Sequence, residues 1–206
     1  MQVRFEVLNA GYYGCPQNRN RIIMLAARKN KRLPDLPTPS HFFQTQNKNL
    51  NSFFKMPKGC GNPRSGGKLV LSAPCRFINV NDRIGNLPRA VKYGKTPRLP
   101  LHFVPKLYDY VPAEERFEST EMFGTITSNR VINQPTFHPT EDRKLTLHER
   151  ALVQGFSKRD IKRLYDEYGG KEICTDSKKM LFKQIGNAVP RELAFAIGSA
   201  INNSLG

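Results

Sequence analysis

Acidic residues are scarce in this sequence of 206 residues, where 17 Asp and Glu stand against 33 Lys and Arg, a formal net charge of +16. Such an excess of positive charge favours a polyanionic partner, and nucleic acid is the first candidate. The shortage is also local, since no acidic residue lies between Leu36 and Asn81. That stretch carries six basic residues: Lys48, Lys55, Lys58, Arg64, Lys68 and Arg76. Charge alone does not exclude a merely soluble basic protein.

Cysteine motifs, long apolar runs and targeting signals are also lacking. The four cysteines, Cys15, Cys60, Cys75 and Cys174, form no Cys-x-x-Cys pair. This argues against a zinc site and a disulfide framework, and it fits a reducing compartment. No apolar run approaches the about 20 residues of a membrane span, and the N-terminus has no signal-peptide pattern. We therefore expect neither a metal site nor a membrane partner.

The opening residues predict a strand, since apolar Val3, Phe5 and Val7 recur at every second position. A complete domain seldom begins so abruptly, so we expect the sequence to be a fragment. Residues 11–16, with two glycines and a proline, predict a tight and irregular approach to a second strand. That strand is the continuous apolar run Ile22–Ala27, which predicts burial.

Polar side chains alternate just before this apolar run. Residues two apart share a face of an extended chain, so Gln17, Arg19 and Arg21 would project together from the start of the strand. Two guanidinium groups and an amide on one face can hold phosphate oxygens or the edge of a base through paired hydrogen bonds. From spacing alone, a solvated basic strand end explains the pattern as well.

The middle of the sequence predicts little regular structure. Prolines make Leu33–Pro39 an extended linker, and His41–Gly67 predicts a long surface loop. Asn81 or Asp82 could cap a short helical turn. Arg89–Arg116 predicts a small irregular lobe.

The last third predicts helices, which follow a strand at Phe123–Thr127. Thr146–Glu149 is a capping box that opens a helix Leu147–Gln154, ended by Gly155, and Ser157–Asp160 caps the next helix. A last helix would begin at Pro190. The helix after Ser157–Asp160 has a predicted apolar face of Ile161, Leu164, Tyr165 and Tyr168. The predicted apolar face of the last helix is Leu193, Ala194, Ile197, Ala200 and Ile201.

Three blocks resemble DNA (cytosine-5) methyltransferases, and they occur in that family's order. Residues 14–21, Gly-Cys-Pro-Gln-Asn-Arg-Asn-Arg, resemble its Gly-x-Pro-Gln-x-Arg-x-Arg motif. Residues 143–156 resemble Arg-x-Leu-Thr-x-Arg-Glu-x-Ala-Arg-x-Gln-Gly-Phe, although His148 and Val153 lie near positions where the family usually carries Arg. Residues 184–190, Gln-Ile-Gly-Asn-Ala-Val-Pro, resemble its Gln-x-Gly-Asn-Ala-Val-Pro block, the most specific of the three.

This resemblance implies an α/β fold, namely the C-terminal part of a Rossmann-like, S-adenosylmethionine-dependent methyltransferase domain with a small irregular target-recognition lobe. Two weaker similarities, over Leu33–Phe43 and Ser72–Pro88, indicate the eukaryotic maintenance-type branch. Residues 1–35 would be the last strands of the catalytic sheet, and residues 36–140 the lobe and its connecting loops. Residues 141–206 would pack back on the catalytic domain as helices.

The resemblance also implies roles for individual residues. Arg19 and Arg21 would contact a flipped cytosine in double-stranded DNA and its phosphates, while Gln17 orders that segment. Three residues would touch the cofactor S-adenosylmethionine: Asn187, Ala188 and Val189. The expected location is nuclear.

The family's chemistry needs motifs that this sequence lacks. Its nucleophilic cysteine lies in Pro-Cys-Gln, a glutamate lies in Glu-Asn-Val, and a Phe-x-Gly-x-Gly loop holds the cofactor; all precede the first block, and none is present. Pro74-Cys75-Arg76 follows that block and ends in Arg, so we interpret Cys75 as structural. We expect the chain to lack a catalytic residue and to be inactive alone. The alternatives are a non-catalytic basic DNA-binding remnant, or half of a split enzyme with a missing N-terminal catalytic half.

Overall fold

The computed structural model describes residues 1–42, 75–92, 97–104, 106–127, 137–168, 170 and 174–205. The strands are β1 (Gln2–Asn9), β2 (Asn20–Ala27), β3 (His41–Phe42) and β4 (Cys75–Arg76). The helices are α1 (Val80–Ile84), α2 (Leu147–Val153), α3 (Lys158–Glu167), α4 (Thr175–Asn187) and α5 (Arg191–Leu205), with 3-10 turns at Ala10–Tyr13 and Ala113–Glu115. Within these ranges no helix is both long and apolar enough to cross a membrane.

β1 and β2 form an antiparallel hairpin along their whole length. Side chains alternate between its two faces, and one face contributes Leu8 and Ile23 to the cluster that contains Leu193 of α5. The opposite face leaves five large apolar side chains exposed: Val3, Phe5, Val7, Ile22 and Met24. The strand predicted over Ile22–Ala27 is therefore confirmed. Its predicted burial is wrong for every second residue, because only one face of the hairpin meets the described core.

Three buried clusters of described residues stabilise the fold, and each joins segments that are far apart in the sequence. The first surrounds α2, α3 and α4: Leu101, Leu147, Ala151, Leu152, Ile161, Leu181 and Ile185. The second joins α1 and α2 to the segment between them: Val80, Ile84, Phe123, Ile126, Leu145 and Val153. The third joins the hairpin to α5: Leu8, Ala10, Tyr13, Cys15 and Leu193. The division of the chain at residues 35 and 140 stays a prediction.

The helix predicted after the capping box is confirmed as α2. Thr146 Oγ1 accepts from the N–H of Glu149, and the Glu149 carboxylate accepts from the N–H of Thr146. The chain leaves this helix at Gly155, whose φ of +89° suits glycine. α3 repeats the capping box with Ser157 and Asp160, and its predicted apolar face packs against the first cluster.

Other helix boundaries differ from the predictions. α1 is capped by Asn79 rather than by Asn81 or Asp82, because Asp82 occupies the third helical position of a capping box. The spacing of apolar residues did not predict α4, because few of its side chains are buried. The Gln-x-Gly-Asn block was expected to open the last helix, but it lies at the C-terminal end of α4. Pro190 directly precedes α5.

The irregular structure predicted over Arg89–Arg116 is confirmed in its described residues, which contain one short 3-10 turn and isolated bridges. We call the described residues between α1 and α2 the lobe, and its role in target recognition stays a prediction. The strand predicted over Phe123–Thr127 is wrong, since only Phe123 forms a bridge, with Gln17. Most of the predicted loop His41–Gly67 lies outside the described residues. Its first two residues form β3, which pairs in parallel with β4.

α5 packs on the hairpin with a narrower face than predicted. Leu193 is buried and Ile197 packs beside it, whereas Ala194 is exposed. A Cβ added to Gly198 would meet no atom within 4 Å. Gly198 therefore does not mark a close approach of α5 to the hairpin.

Two glycines provide a matched test of these backbone assignments. Gly155→Ala should lower the free energy of unfolding by about 1–3 kcal/mol, because a left-handed φ strains any side chain. A Cβ there would also collide with Glu192 Oε2. Gly198→Ala should raise the free energy of unfolding by about 0.5–1 kcal/mol, because alanine loses less entropy in an open helix. Urea unfolding measures both, and a stabilising Gly155→Ala would contradict the assigned turn.

Candidate functional site

The segment that precedes β2 is fixed against the lobe by backbone hydrogen bonds. Phe123 donates its N–H to the carbonyl of Pro16 at 2.9 Å, and Asn18 donates its N–H to the carbonyl of Phe123 at 2.8 Å. Gln17 and Arg19 therefore lie between the hairpin and the lobe, where they are 0% and 1% exposed. Neither side chain projects from a strand, since β2 begins after them.

Gln17 is the first member of a chain of side-chain amides. Its Oε1 accepts the N–H of Ile126 at 2.9 Å, and its Nε2 donates to Oε1 of Gln154 at 2.6 Å. Gln154 follows α2, is 1% exposed, and donates its own Nε2–H to the carbonyl of Ala188 at 2.8 Å. We call these three hydrogen bonds, from Ile126 through Gln17 and Gln154 to Ala188, the amide relay. Buried amides need such partners.

Arg19 joins the same parts of the molecule by a second route. Its Nη1 donates to the carbonyl of Ile126 and, at 3.4 Å, to Oε1 of Gln17, while Nη2 donates to the carbonyl of Gly186 at 2.7 Å. Its Nε is buried and has no hydrogen-bond partner among the residues that the structure describes. The described hydrogen bonds thus all go to neutral oxygens. A buried positive charge compensated only by dipoles favours an anion nearby.

Arg21 lies apart from Gln17 and Arg19. It is opposite Leu8 in the hairpin, and its Nη1 donates to the carbonyl of Asn20 at 2.8 Å. Its side chain is half-buried, and burial lowers the pKa of the guanidinium. Within the described ranges no hydrogen bond joins it to the other two side chains. The structure therefore brings two of the three predicted residues together and leaves Arg21 at the start of β2.

The residues predicted to line a cofactor pocket form the turn between α4 and α5. Asn187 ends α4, and Ala188 follows as its C-cap, with its N–H donated to the carbonyl of Gln184. Asn187 and Val189 are exposed, whereas Pro190 is buried. The backbone of this turn is thus held through Ala188, and the two neighbouring side chains lie at the surface.

The three sequence blocks meet at this point. The amide relay and Arg19 connect the segment before β2 to the end of α2 and to the α4–α5 turn. Gln154 belongs to the second block, but the sequence did not predict its role. The apolar pattern around Gln154 predicts a buried helix end, and it does not tell which residues form hydrogen bonds with the Gln154 side chain. No sequence signal identifies Ile126, which takes part through its backbone.

The second block also carries a buried ion pair. Arg143 donates Nη1–H and Nη2–H to the two carboxylate oxygens of Glu149 at 2.9 and 2.8 Å, and each side chain is 1% exposed. Glu141 accepts a further hydrogen bond from Arg143 at 3.0 Å. His138 Nε2 lies 3.6 Å from the Glu149 carboxylate. This network ties the loop before α2 to the helix itself.

His148, near a position where the family usually carries Arg, is directed inward. It is 1% exposed, and its Nδ1 donates to the carbonyl of Pro100 at 2.7 Å. Its ring also packs edge-on against His102, with centroids 5.5 Å apart. Burial lowers the pKa of His148, and burial likewise lowers the pKa of His138. His148 therefore ties α2 to the lobe.

The described cysteines offer no activated nucleophile at this site. Cys15 is buried, its thiol donates to the carbonyl of Val153 at 3.4 Å, and burial raises its pKa far above the usual range. Such a thiol stays neutral and unreactive at neutral pH. Cys75 and Cys174 are exposed. No group of three or more His, Cys, Asp or Glu suited to a metal ion occurs among the residues that the structure describes.

The family model for C-5 cytosine-specific DNA methylases matches residues 1–203. The chain belongs to this family. DNA (cytosine-5)-methyltransferase 4 of Arabidopsis thaliana is 28% identical over 277 aligned residues, which cover 99% of this chain and 17% of that protein. DNA (cytosine-5)-methyltransferase PliMCI of Paracentrotus lividus is 39% identical over 87 residues, 42% of this chain and 5% of that protein. The resemblance seen in the three blocks is confirmed, and the chain spans less than a fifth of these relatives.

A solved structure agrees with this assignment at the level of the fold. A DNA modification methyltransferase encoded within an E. coli prophage matches with a TM-score of 0.52 at 15% identity, over 99% of this chain and 61% of that one. Together with the family, this supports the fold of an S-adenosylmethionine-dependent methyltransferase. The Arabidopsis alignment spans more positions than the chain has residues, so that relative carries segments that this chain lacks.

The buried histidines predict how the stability of this methylase domain depends on pH. Folding lowers the pKa of His138 and His148 below the unfolded value of about 6.5, so acid protonates the unfolded chain first. The free energy of unfolding should therefore fall from pH 7 to pH 5, by at most about 1.4 kcal/mol per pH unit for each histidine. Urea unfolding at several pH values measures the slope. His148→Gln should reduce it, and an unchanged slope would contradict this account.

Proposed function

We propose that this chain is the C-terminal part of a DNA (cytosine-5) methyltransferase, which transfers a methyl group from S-adenosylmethionine to C5 of cytosine. The observation that carries the proposal is the meeting of the three family blocks at the amide relay and Arg19. Methyl transfer between two bound molecules requires both to be positioned together, and one buried network that holds both sides suits this task. β1 and β2 would be the last strands of a Rossmann-like sheet.

The substrate side of the site would be formed by the segment before β2. Arg19 contributes a buried positive charge next to a flipped cytosine, and Arg21, at the half-exposed start of β2, contacts its phosphates. Gln17 orders the segment through its hydrogen bonds to Ile126 and Gln154. The net charge of +16 favours double-stranded DNA as the partner, because phosphate contacts supply much of the affinity for DNA.

The cofactor side would be formed by the α4–α5 turn. Asn187 presents a side-chain amide and Val189 an apolar side chain, both exposed, on a backbone anchored at Ala188. An exposed hydrogen-bonding group beside an exposed apolar one fits one wall of a pocket for S-adenosylmethionine, a ligand with polar ends and a flat ring. When bound, that cofactor supplies the methyl group. The three residues of the turn bind and orient it.

The nucleophile would come from another part of the enzyme, an N-terminal catalytic half. Cys15 is buried and neutral, and the family's Pro-Cys-Gln motif is absent from the sequence. The exposed face of the hairpin, with Phe5 and Ile22 at 71% and 73% exposure, is the surface on which that half would pack. The isolated chain would then bind DNA without methylating it. A nuclear location stays a prediction.

Complementation tests the proposal. The full chain is mixed with the preceding part of the domain from the Arabidopsis relative, which is chosen to carry the Phe-x-Gly-x-Gly, Pro-Cys-Gln and Glu-Asn-Val motifs. Labelled methyl groups should enter DNA only in the mixture. Arg21→Ala should lower the rate about 10- to 100-fold, because a charge-assisted contact is lost. Arg163→Ala, on the exposed surface of α3, should leave the rate unchanged.

Two results would contradict this proposal in different ways. Methylation by the chain alone would show that it contains its own nucleophile. The second result is DNA binding that depends on salt, combined with no binding of S-adenosylhomocysteine by either the chain or the mixture. This result would favour a non-catalytic basic DNA-binding remnant instead. That rival draws on the net charge and on the neutral, buried state of Cys15.

A further inference from the structure

The amide relay has a fixed direction. A backbone N–H can only donate and a backbone carbonyl can only accept, so Ile126 at one end and Ala188 at the other set the orientation of both side-chain amides. Gln17 Oε1 must face Ile126, and Gln154 Nε2 must face Ala188. The middle link, at 2.6 Å, then has its donor on Gln17 and its acceptor on Gln154. Neither amide can rotate by half a turn without placing like groups against each other.

The amide relay is also shielded from water, and it is attached to the ends of two helices. Gln17 and Gln154 are 0% and 1% exposed, so water does not readily replace a broken link. Gln154 caps α2 with its own N–H, which donates to the carbonyl of Arg150 at 3.0 Å, and Ala188 caps α4. A displacement of the α4–α5 turn is therefore passed on to the segment before β2.

We propose that Gln154 is a positioning residue that couples the DNA side of the site to its cofactor side. The inference rests on the proposed function and extends it. DNA that orders the segment around Gln17 holds Ala188, through Gln154, in the arrangement that binds the cofactor. The effect is reciprocal, because a coupling free energy acts equally on both ligands. Arg19 connects the same parts through Gly186, so the loss of Gln154 reduces the coupling without abolishing it.

Substitutions at Gln154 separate its two hydrogen bonds. Q154M keeps a similar volume and makes neither bond. Q154E in its ionised form can still accept from Gln17 but cannot donate to Ala188, so at a pH where this carboxyl is ionised it breaks one link and keeps the other. Both variants are examined in the complete enzyme, formed by this chain with the part that carries the nucleophile. Their melting temperatures report whether they are folded.

The measured quantity is the ratio of two affinities for S-adenosylhomocysteine, with and without a saturating DNA duplex, obtained by calorimetry. The unsubstituted enzyme should show a ratio of about 5 to 150, the usual range for coupled sites. Q154M and Q154E should each lower this ratio by about threefold or more, as the loss of one net hydrogen bond predicts. The affinity without DNA should change by less than about twofold, since the turn keeps its other contacts.

Gln2→Met is the matched control for this substitution. Gln2 also donates its side-chain amide to backbone carbonyls, those of Arg28, Lys29 and Lys31, but at the opposite end of the hairpin. Its replacement should leave the ratio unchanged. A second readout uses no variant at all: the side-chain amide NMR signals of Gln154 should shift when DNA is added without cofactor.

The outcomes separate this inference from the function on which it rests. Folded Q154M and Q154E with an unchanged ratio would overturn the coupling role while the proposed function stands. If both variants unfold, amide signals of Gln154 that do not respond to DNA would overturn it. If the unsubstituted enzyme binds neither DNA nor S-adenosylhomocysteine, the proposed function fails and the coupling role fails with it.

Discussion

Most buried polar atoms are paired in folded proteins, and this preference fixes the centre of the molecule. Gln17, Arg19 and Gln154 have almost no access to water, so their hydrogen bonds decide how the hairpin, the lobe and the α4–α5 turn lie relative to one another. The three apolar clusters described around this centre stabilise the fold, but apolar contacts are non-directional. Orientation comes from the amides and the guanidinium, whose hydrogen bonds tolerate little displacement.

The hairpin links this centre to the surface. A two-stranded hairpin is only marginally stable alone in water. Here one face contributes Leu8 and Ile23 to the cluster that contains Leu193 of α5, while Phe5 and Ile22 lie 71% and 73% exposed on the other. The segment with Gln17 and Arg19 runs directly into β2. Whatever covers the exposed face therefore acts on the strand that carries the DNA side of the proposed site, so docking and substrate binding share one element.

Features with local causes could be predicted from the sequence, and features with distant causes could not. Thr146 and Glu149 stand three residues apart, and a capping box needs nothing more. Gln17 and Gln154 stand 137 residues apart, so no pattern joins them before the chain is folded. The exposure of Ile22 is a similar case, because it depends on which face of the hairpin meets α5. The blocks identified the family, and the relay between them came only from the structure.

Two buried arginines show how the same residue serves the scaffold in one place and a site in another. Arg19 and Arg143 are each 1% exposed. Arg143 is paired with Glu149 and Glu141, and this pairing fixes a loop and leaves no positive charge to act on a ligand. Arg19 faces only neutral oxygens in the described part of the chain. A carboxylate beside Arg19 would stabilise the isolated domain, and it would also cancel the field that a phosphate or an electron-rich base needs. Arg19 thus differs from Arg143 in its described partners, and this difference supports the binding role that we propose for Arg19.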